Sequence, residues 1–97
     1  MELNLLIHVT YQAKPGRGRE FVRQIIEQGL RGKILAEDGC LQYDYFFSNE
    51  SDDTVLLVEL WKTAAHQAVH MTQPHMKTLA ELKERETLST TVQKFSV

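Results

Sequence analysis

The segment Thr54 to Lys62 reads Thr-Val-Leu-Leu-Val-Glu-Leu-Trp-Lys and has no polar side. Read as a strand, it puts Val55, Leu57, Glu59 and Trp61 on one face and Leu56, Val58 and Leu60 on the other. Successive side chains of a strand point to opposite faces, so both faces of the sheet that holds it need an apolar cover. Few small folds supply cover on both sides.

The flanking segments name the fold. Residues 3 to 12 alternate, with Leu3, Leu5, Ile7, Val9 and Tyr11 opposite Asn4, Leu6, His8, Thr10 and Gln12, which predicts a first strand. Lys14-Pro15-Gly16-Arg17-Gly18 breaks it. This run lacks the spacing of a phosphate-binding loop and reads as a turn. From Arg19 to about Glu37, Phe21, Val22, Ile25, Ile26, Leu30, Ile34 and Leu35 form one helical stripe. Gly29 and Gly32 weaken that helix and mark a place for a bend, and Gly39 is a left-handed stop. Cys40 to Ser48 is an aromatic strand with Leu41, Tyr43, Tyr45 and Phe47 on one face. The polar link 49–53 joins it to the Thr54–Lys62 strand as an antiparallel hairpin. Thr63 caps a short helix from Ala64 to about Met71, and Pro74 opens a second helix that runs to about Arg85. Thr87 to Val97, rich in Thr, Val and Phe, closes the chain as a strand.

The order β-α-β-β-α-β, with its second helical part broken in two, is that of the α+β ferredoxin-like split βαβ plan: a four-stranded antiparallel sheet with helices on one face. Residues 1–97 are expected to form one domain. A chain of this length buries only about 60–65% of the surface that it exposes when unfolded. Helices cover one face, and an apolar second face left to water is unusual in a monomer. A homodimer packed sheet to sheet, a dimeric α+β barrel, is therefore expected.

Composition narrows the partners. Eleven Lys+Arg against thirteen Asp+Glu give a formal charge of -2, which offers no basic field to nucleic acid or to an anionic membrane. The apolar runs are far shorter than the ~20 residues of a membrane span, and the N-terminus lacks signal-peptide features. A lone Cys40 forms no internal disulfide, so a cytoplasmic setting is expected, and no neighbouring group marks it as a nucleophile.

The candidate chemistry lies between Glu59 and Lys77. Glu59 and Trp61 share a face, while His70 ends one short helix and His75 begins the next. A helix break over a sheet face leaves backbone groups unpaired and lets side chains converge on a pocket. An apolar cavity holding one carboxylate and two imidazoles is expected, with Val9 and Leu57 among its lining and Tyr43 reaching it. Glu59, in an otherwise apolar strand, needs a partner or a raised pKa. The dipole at a helix N-terminus disfavours a cation at His75, which suits a base. Trp61 has two readings, core packing and pocket lining, and His75 also reads as a surface residue. His66 and His70 stand four apart, as metal ligands do, but a third ligand would have to be His75 or Glu59, and no metal is expected. His8 falls on the other face of its strand, towards the dimer interface.

Several of these residues carry a family resemblance. The Lys14-Pro15-Gly16 turn, Glu37-Asp38-Gly39-Cys40-Leu41-Gln42-Tyr43, and Glu59-Leu60-Trp61 followed by His70 and Pro74-His75-Met76-Lys77 resemble the antibiotic biosynthesis monooxygenase (ABM) domain, nearest to the YgiN-like quinol monooxygenases. The resemblance covers about residues 3 to 96 and implies a dimeric ferredoxin-like barrel. It also implies oxygenation, without cofactor, of a quinol or a similar small aromatic. In that scheme a base removes a phenolic proton and the electron-rich anion reduces O2 directly. His75 or His70 would be the base, Trp61 and Tyr43 the stacking walls, and Glu59 the orienter. Haem-degrading relatives use an Asn on the first strand and a haem-ligating His on the last helix. His8 or Val9 and Ala80 stand near those positions, so haem degradation is not expected.

The His…Pro-His string also occurs in the isomerase LsrG, so it marks a pocket without selecting a reaction. Three functions stay open: a cofactor-independent monooxygenase, a proton-shuttling isomerase or tautomerase, and a non-catalytic dimeric module that binds a small apolar ligand.

Overall fold

The computed structural model describes residues 2–97. The elements are β1 (Leu5–Ala13), α1 (Gly18–Glu27), α2 (Leu30–Leu35), β2 (Cys40–Phe47), β3 (Thr54–Trp61), α3 (Ala64–His70), α4 (His75–Glu86) and β4 (Thr87–Ser96). The four strands form one sheet in the order β2-β3-β1-β4, every neighbouring pair antiparallel. This is the ferredoxin-like α+β fold expected from the element order.

The helices all pack on one face. Ile7, Val9 and Tyr11 of β1, Tyr43 of β2 and Val55, Leu57 and Trp61 of β3 are buried there against Phe21, Ile25, Leu30, Ile34, Leu79 and Leu82. Burial along β3 alternates strictly, with Val55, Leu57, Glu59 and Trp61 inside and the intervening residues half-exposed. The opposite face stays apolar: Leu6, Leu56, Val58 and Leu60 are only half-buried, and Phe46 and Phe95 are exposed. His8 lies on that face, edge-on to Phe95 with ring centroids 5.5 Å apart.

Four expectations need correction. The helix expected from Arg19 to Glu37 is two helices, because Gly29 takes a left-handed φ of 76° and ends the first one. Ile26, placed inside by the helical stripe, lies on the exposed side of α1. Leu41 does not share a face with Tyr43. The β2–β3 register shifts between Cys40 and Gln42, and this bulge leaves Leu41 exposed while Cys40 packs on the core. Finally, α4 begins at His75, with Pro74 just before it as the capping residue.

The Lys14–Gly18 turn closes on an internal anion. The Asp53 carboxylate accepts hydrogen bonds from the Gly16 and Gly18 amides, at 2.9 and 3.0 Å. These two bonds hold Asp53 below the usual carboxylate range. The turn thus fastens the β2–β3 link to the start of α1.

Candidate active site

Gly39 sets up the site. Its φ of 83° turns the chain sharply before β2, and the His66 ring lies so close that a Cβ there would come within 2.4 Å of it. Only glycine fits. The His66 ring is held in turn by Thr63 Oγ1 at 2.6 Å, and the Lys62 amide donates to the Gly39 carbonyl at 2.8 Å. These contacts clamp the residues before β2 onto the start of α3 and bring Glu37 beneath the α3–α4 break.

There one oxygen, Glu37 Oε2, lies 2.8 Å from His70 Nδ1 and 2.8 Å from His75 Nε2. The His70 side chain is 1% exposed, and those of Glu37 and His75 are 11% and 12% exposed. Three acid and imidazole groups thus share one largely buried locus. Their ligand atoms lie within 4.8 Å of one another, so among the described residues this trio is the group able to hold a metal ion. Two hydrogen bonds to the one carboxylate oxygen join the three side chains.

Beside the trio, a cavity of about 720 Å³ opens between the sheet and the α3–α4 pair. Its floor includes Ile7, Val9 and Tyr11 of β1, Tyr43 of β2 and Glu59 of β3, continued by Thr90, Val92 and Lys94 of β4. Its roof includes Gln67 and His70 of α3, the connection 71–74, and Met76, Leu79 and Lys83 of α4. A volume of this size accommodates a fused-ring aromatic molecule.

The expected site residues divide into two groups. His70, Glu59, Tyr43 and Val9 border the cavity. Trp61 and Leu57, expected in its lining, are 0% and 1% exposed and belong to the core. Trp61 lies behind His70, its ring centroid 4.5 Å from the imidazole. His75 is also absent from the cavity wall and reaches the site through Glu37 alone. Neither histidine bonds to Glu59, whose Oε1 accepts from Trp61 Nε1 at 2.9 Å. The carboxylate that bonds both imidazoles is Glu37, expected at a helix end and in the family-like Glu37–Tyr43 run but not among the site residues.

Burial shapes the ionisation of the site. It pushes Glu59 up from the ordinary carboxylate range, partly offset by the Trp61 hydrogen bond and by the charges of His70, Lys94 and Lys83. The phenols of Tyr11 and Tyr43 are raised well above their ordinary value, first by burial and then by neighbouring groups. Both stay protonated at neutral pH. Cys40 is pushed up to about 11 by burial and by the Glu37 and Glu59 charges, which leaves it a thiol and a poor nucleophile. Tyr11 and Lys83 line the cavity as well, and neither is among the expected site residues. Tyr11 alternates in phase with Val9, which was signal enough to place it on the cavity floor.

Comparison with known proteins gives the family and the fold. The family described as "Antibiotic biosynthesis monooxygenase" matches residues 5–82. The "Probable quinol monooxygenase YgiN" of Escherichia coli (strain K12) is 29% identical over 63 residues, covering 57% of this chain and 61% of that protein. The match thus spans less than two thirds of that relative's length. PA3566 from Pseudomonas aeruginosa superposes with a TM-score of 0.86 at 23% identity, over 100% of this chain and 96% of the other. SnoaB, a cofactor-independent oxygenase from Streptomyces nogalater, gives 0.84 at 10% identity, over 98% and 93%. At such identities these two likenesses are of fold.

Proposed function

The chain belongs to the antibiotic biosynthesis monooxygenase family, and from that premise we propose that it is a cofactor-independent monooxygenase that oxidises a quinol or related small aromatic with O2. The observation that supports this reading is the His70 imidazole, buried, bonded at Nδ1 to Glu37 and bordering a cavity large enough for such a substrate. Two proteins similar to the chain, the probable quinol monooxygenase YgiN of E. coli and the cofactor-independent oxygenase SnoaB of S. nogalater, favour the same class of reaction.

The steps balance without an added reductant. With Nδ1–H donated to the Glu37 carboxylate, His70 keeps its lone pair on Nε2 and takes a phenolic proton from the quinol. The phenolate passes one electron to O2, and the resulting radical pair closes a C–O bond at an adjacent ring carbon that bears hydrogen. The peroxide takes up a proton from His70. Loss of the ring C–H proton then cleaves the O–O bond. One oxygen stays on the ring, the other leaves as water, and the quinol has become a hydroxyquinone. The protein supplies the base, the orientation and a site shielded from bulk water. His75, on the far side of Glu37, fixes the carboxylate that fixes His70. Glu59 and Tyr43 line the floor on which the ring rests, with Val9 beside them. Trp61 and Leu57 support that floor from the core.

In this reading the protein acts in the cytoplasm as a homodimer, its apolar open face covered by a second copy. No helix among the described residues is long and apolar enough to cross a membrane. The test is oxygen uptake with naphthohydroquinone and isotopically heavy O2 after chelator treatment. One heavy atom in the product, with a rate ~10²–10⁴-fold lower in His70→Ala, is the expected result. Product without heavy oxygen, or an unchanged rate in the variant, overturns the reading. Deuterium exchange into an enolisable carbonyl compound without O2 uptake favours the isomerase instead.

A further inference from the structure

The arginines and lysines of this chain are used differently. Arg17 pairs with Glu86, Arg19 with Asp52, Arg23 with Glu20 and Glu27, Arg31 with Asp44, and Arg85 with Glu86. Among the described residues no lysine enters an ion pair. Three of these unpaired lysines, Lys77, Lys83 and Lys94, border the cavity.

Their positions are set by the fold. Lys94 sits opposite Ile7 in the β1–β4 register and so shares the helix-facing side of the sheet. Lys83 comes from α4, half-buried, with Nζ 5.5 Å from the centroid of the Tyr11 ring on the floor. Lys77 lies a turn and a half earlier on α4 and is exposed. The cavity has a single carboxylate, Glu59, and one of its oxygens is taken by Trp61. Unpaired cations at the rim of an apolar space attract an anion more strongly than the same charges in open water, because the dielectric there is lower.

We infer that the cavity binds an aromatic ligand carrying one anionic group, a carboxylate or a phosphate, and that Lys83 and Lys94 are the residues that select it, with Lys77 at the rim. This deepens the proposed function and rests on the cavity being its substrate site. The aromatic body fills the space over Val9, Tyr11 and Tyr43, while the charge points to the β4–α4 side, away from His70. The oxidisable hydroxyl and the anionic group would then stand at opposite ends of the ligand.

The test reads binding, not turnover. Calorimetric titration of 2-naphthol, 2-naphthoate and 2-naphthyl phosphate into the purified protein compares one neutral and two anionic forms of the same ring system. At low salt at least one anion is expected to bind about ten-fold more tightly than 2-naphthol, and the tighter anion tells carboxylate from phosphate. High salt, Lys94→Gln and Lys83→Gln are each expected to shrink that ratio. The salt arm uses the unaltered protein and stands even where a variant fails to fold. Equal affinity for all three, binding of none, or a ratio insensitive to salt and to both substitutions overturns the inference. Tight anion binding without oxygen uptake leaves it standing and removes the oxygenase reading. Oxygen uptake with a neutral quinol and no anion preference does the reverse.

Discussion

Glu37 Oε2 stands 2.8 Å from His70 Nδ1, although 33 residues separate the two along the chain. The contact joins the end of the first helical layer to the end of α3, and it decides which ring nitrogen of His70 carries the proton. A carboxylate only accepts, so Nδ1 must donate and the lone pair falls to Nε2.

Glu37→Gln is therefore expected to lower kcat by about ten-fold or more, since the amide can hold the ring in either tautomer. His75→Ala removes only the far support and is expected to cost less than His70→Ala. Glu37→Ala leaves two imidazole N–H groups without their acceptor and should also destabilise the fold by about 1–3 kcal/mol. Steady-state oxygen uptake and urea unfolding check these expectations, and an unaffected kcat in Glu37→Gln would count against the orienting role.

Glu59 makes stability depend on pH with a definite sign. Its folded pKa is raised, so between the unfolded and folded values the folded state holds the extra proton. Stability then falls as pH rises through that window, which begins near the unfolded pKa of about 4.3. Glu59→Gln keeps an acceptor for Trp61 Nε1 and loses the titration. The variant is expected to gain on the parent in Tm from pH 4 upward, about the onset of that window. Parallel Tm curves across this range would contradict the burial-driven shift.

Asp53 carries the opposite sign. Its folded pKa is lowered by the Gly16 and Gly18 amides, so its contribution is present above the unfolded value of about 3.9 and is lost as pH falls through the folded one. Asp53→Asn should lower Tm at neutral pH and flatten the acid limb of the stability profile. Thermal scans at stepwise lower pH give the comparison.

The open sheet face predicts assembly. Light scattering is expected to give twice the 11.2 kDa of one chain. Val58→Lys, on the half-buried face opposite the helices, should shift the population to monomer and lower Tm. A parent protein that already scatters as a monomer would remove the sheet-to-sheet pairing.

Much of this was written in short-range pattern. Period-two alternation placed Glu59 on the helix-facing side of β3, and the Pro74 break placed His70 and His75 at facing helix ends. Depth was not legible. Trp61 and His70 point into the same space, and only packing shows that the indole lies behind the imidazole and out of the cavity. Glu37 escaped because a helix stop explained it locally, while its partners lie 33 and 38 residues away. Leu41 was misplaced because one inserted residue reverses the alternation, and nothing in its neighbours announces a bulge.

The cavity's two surfaces are built from different kinds of material. Ile7, Val9, Tyr11 and Tyr43 also belong to the buried core, so a change that reshapes the floor disturbs the packing of the whole sheet. Residues 71–74 and the exposed positions of α4 carry no such duty. New substrate preferences can therefore be grafted onto this scaffold through its ceiling, with the strands left as an unaltered foundation.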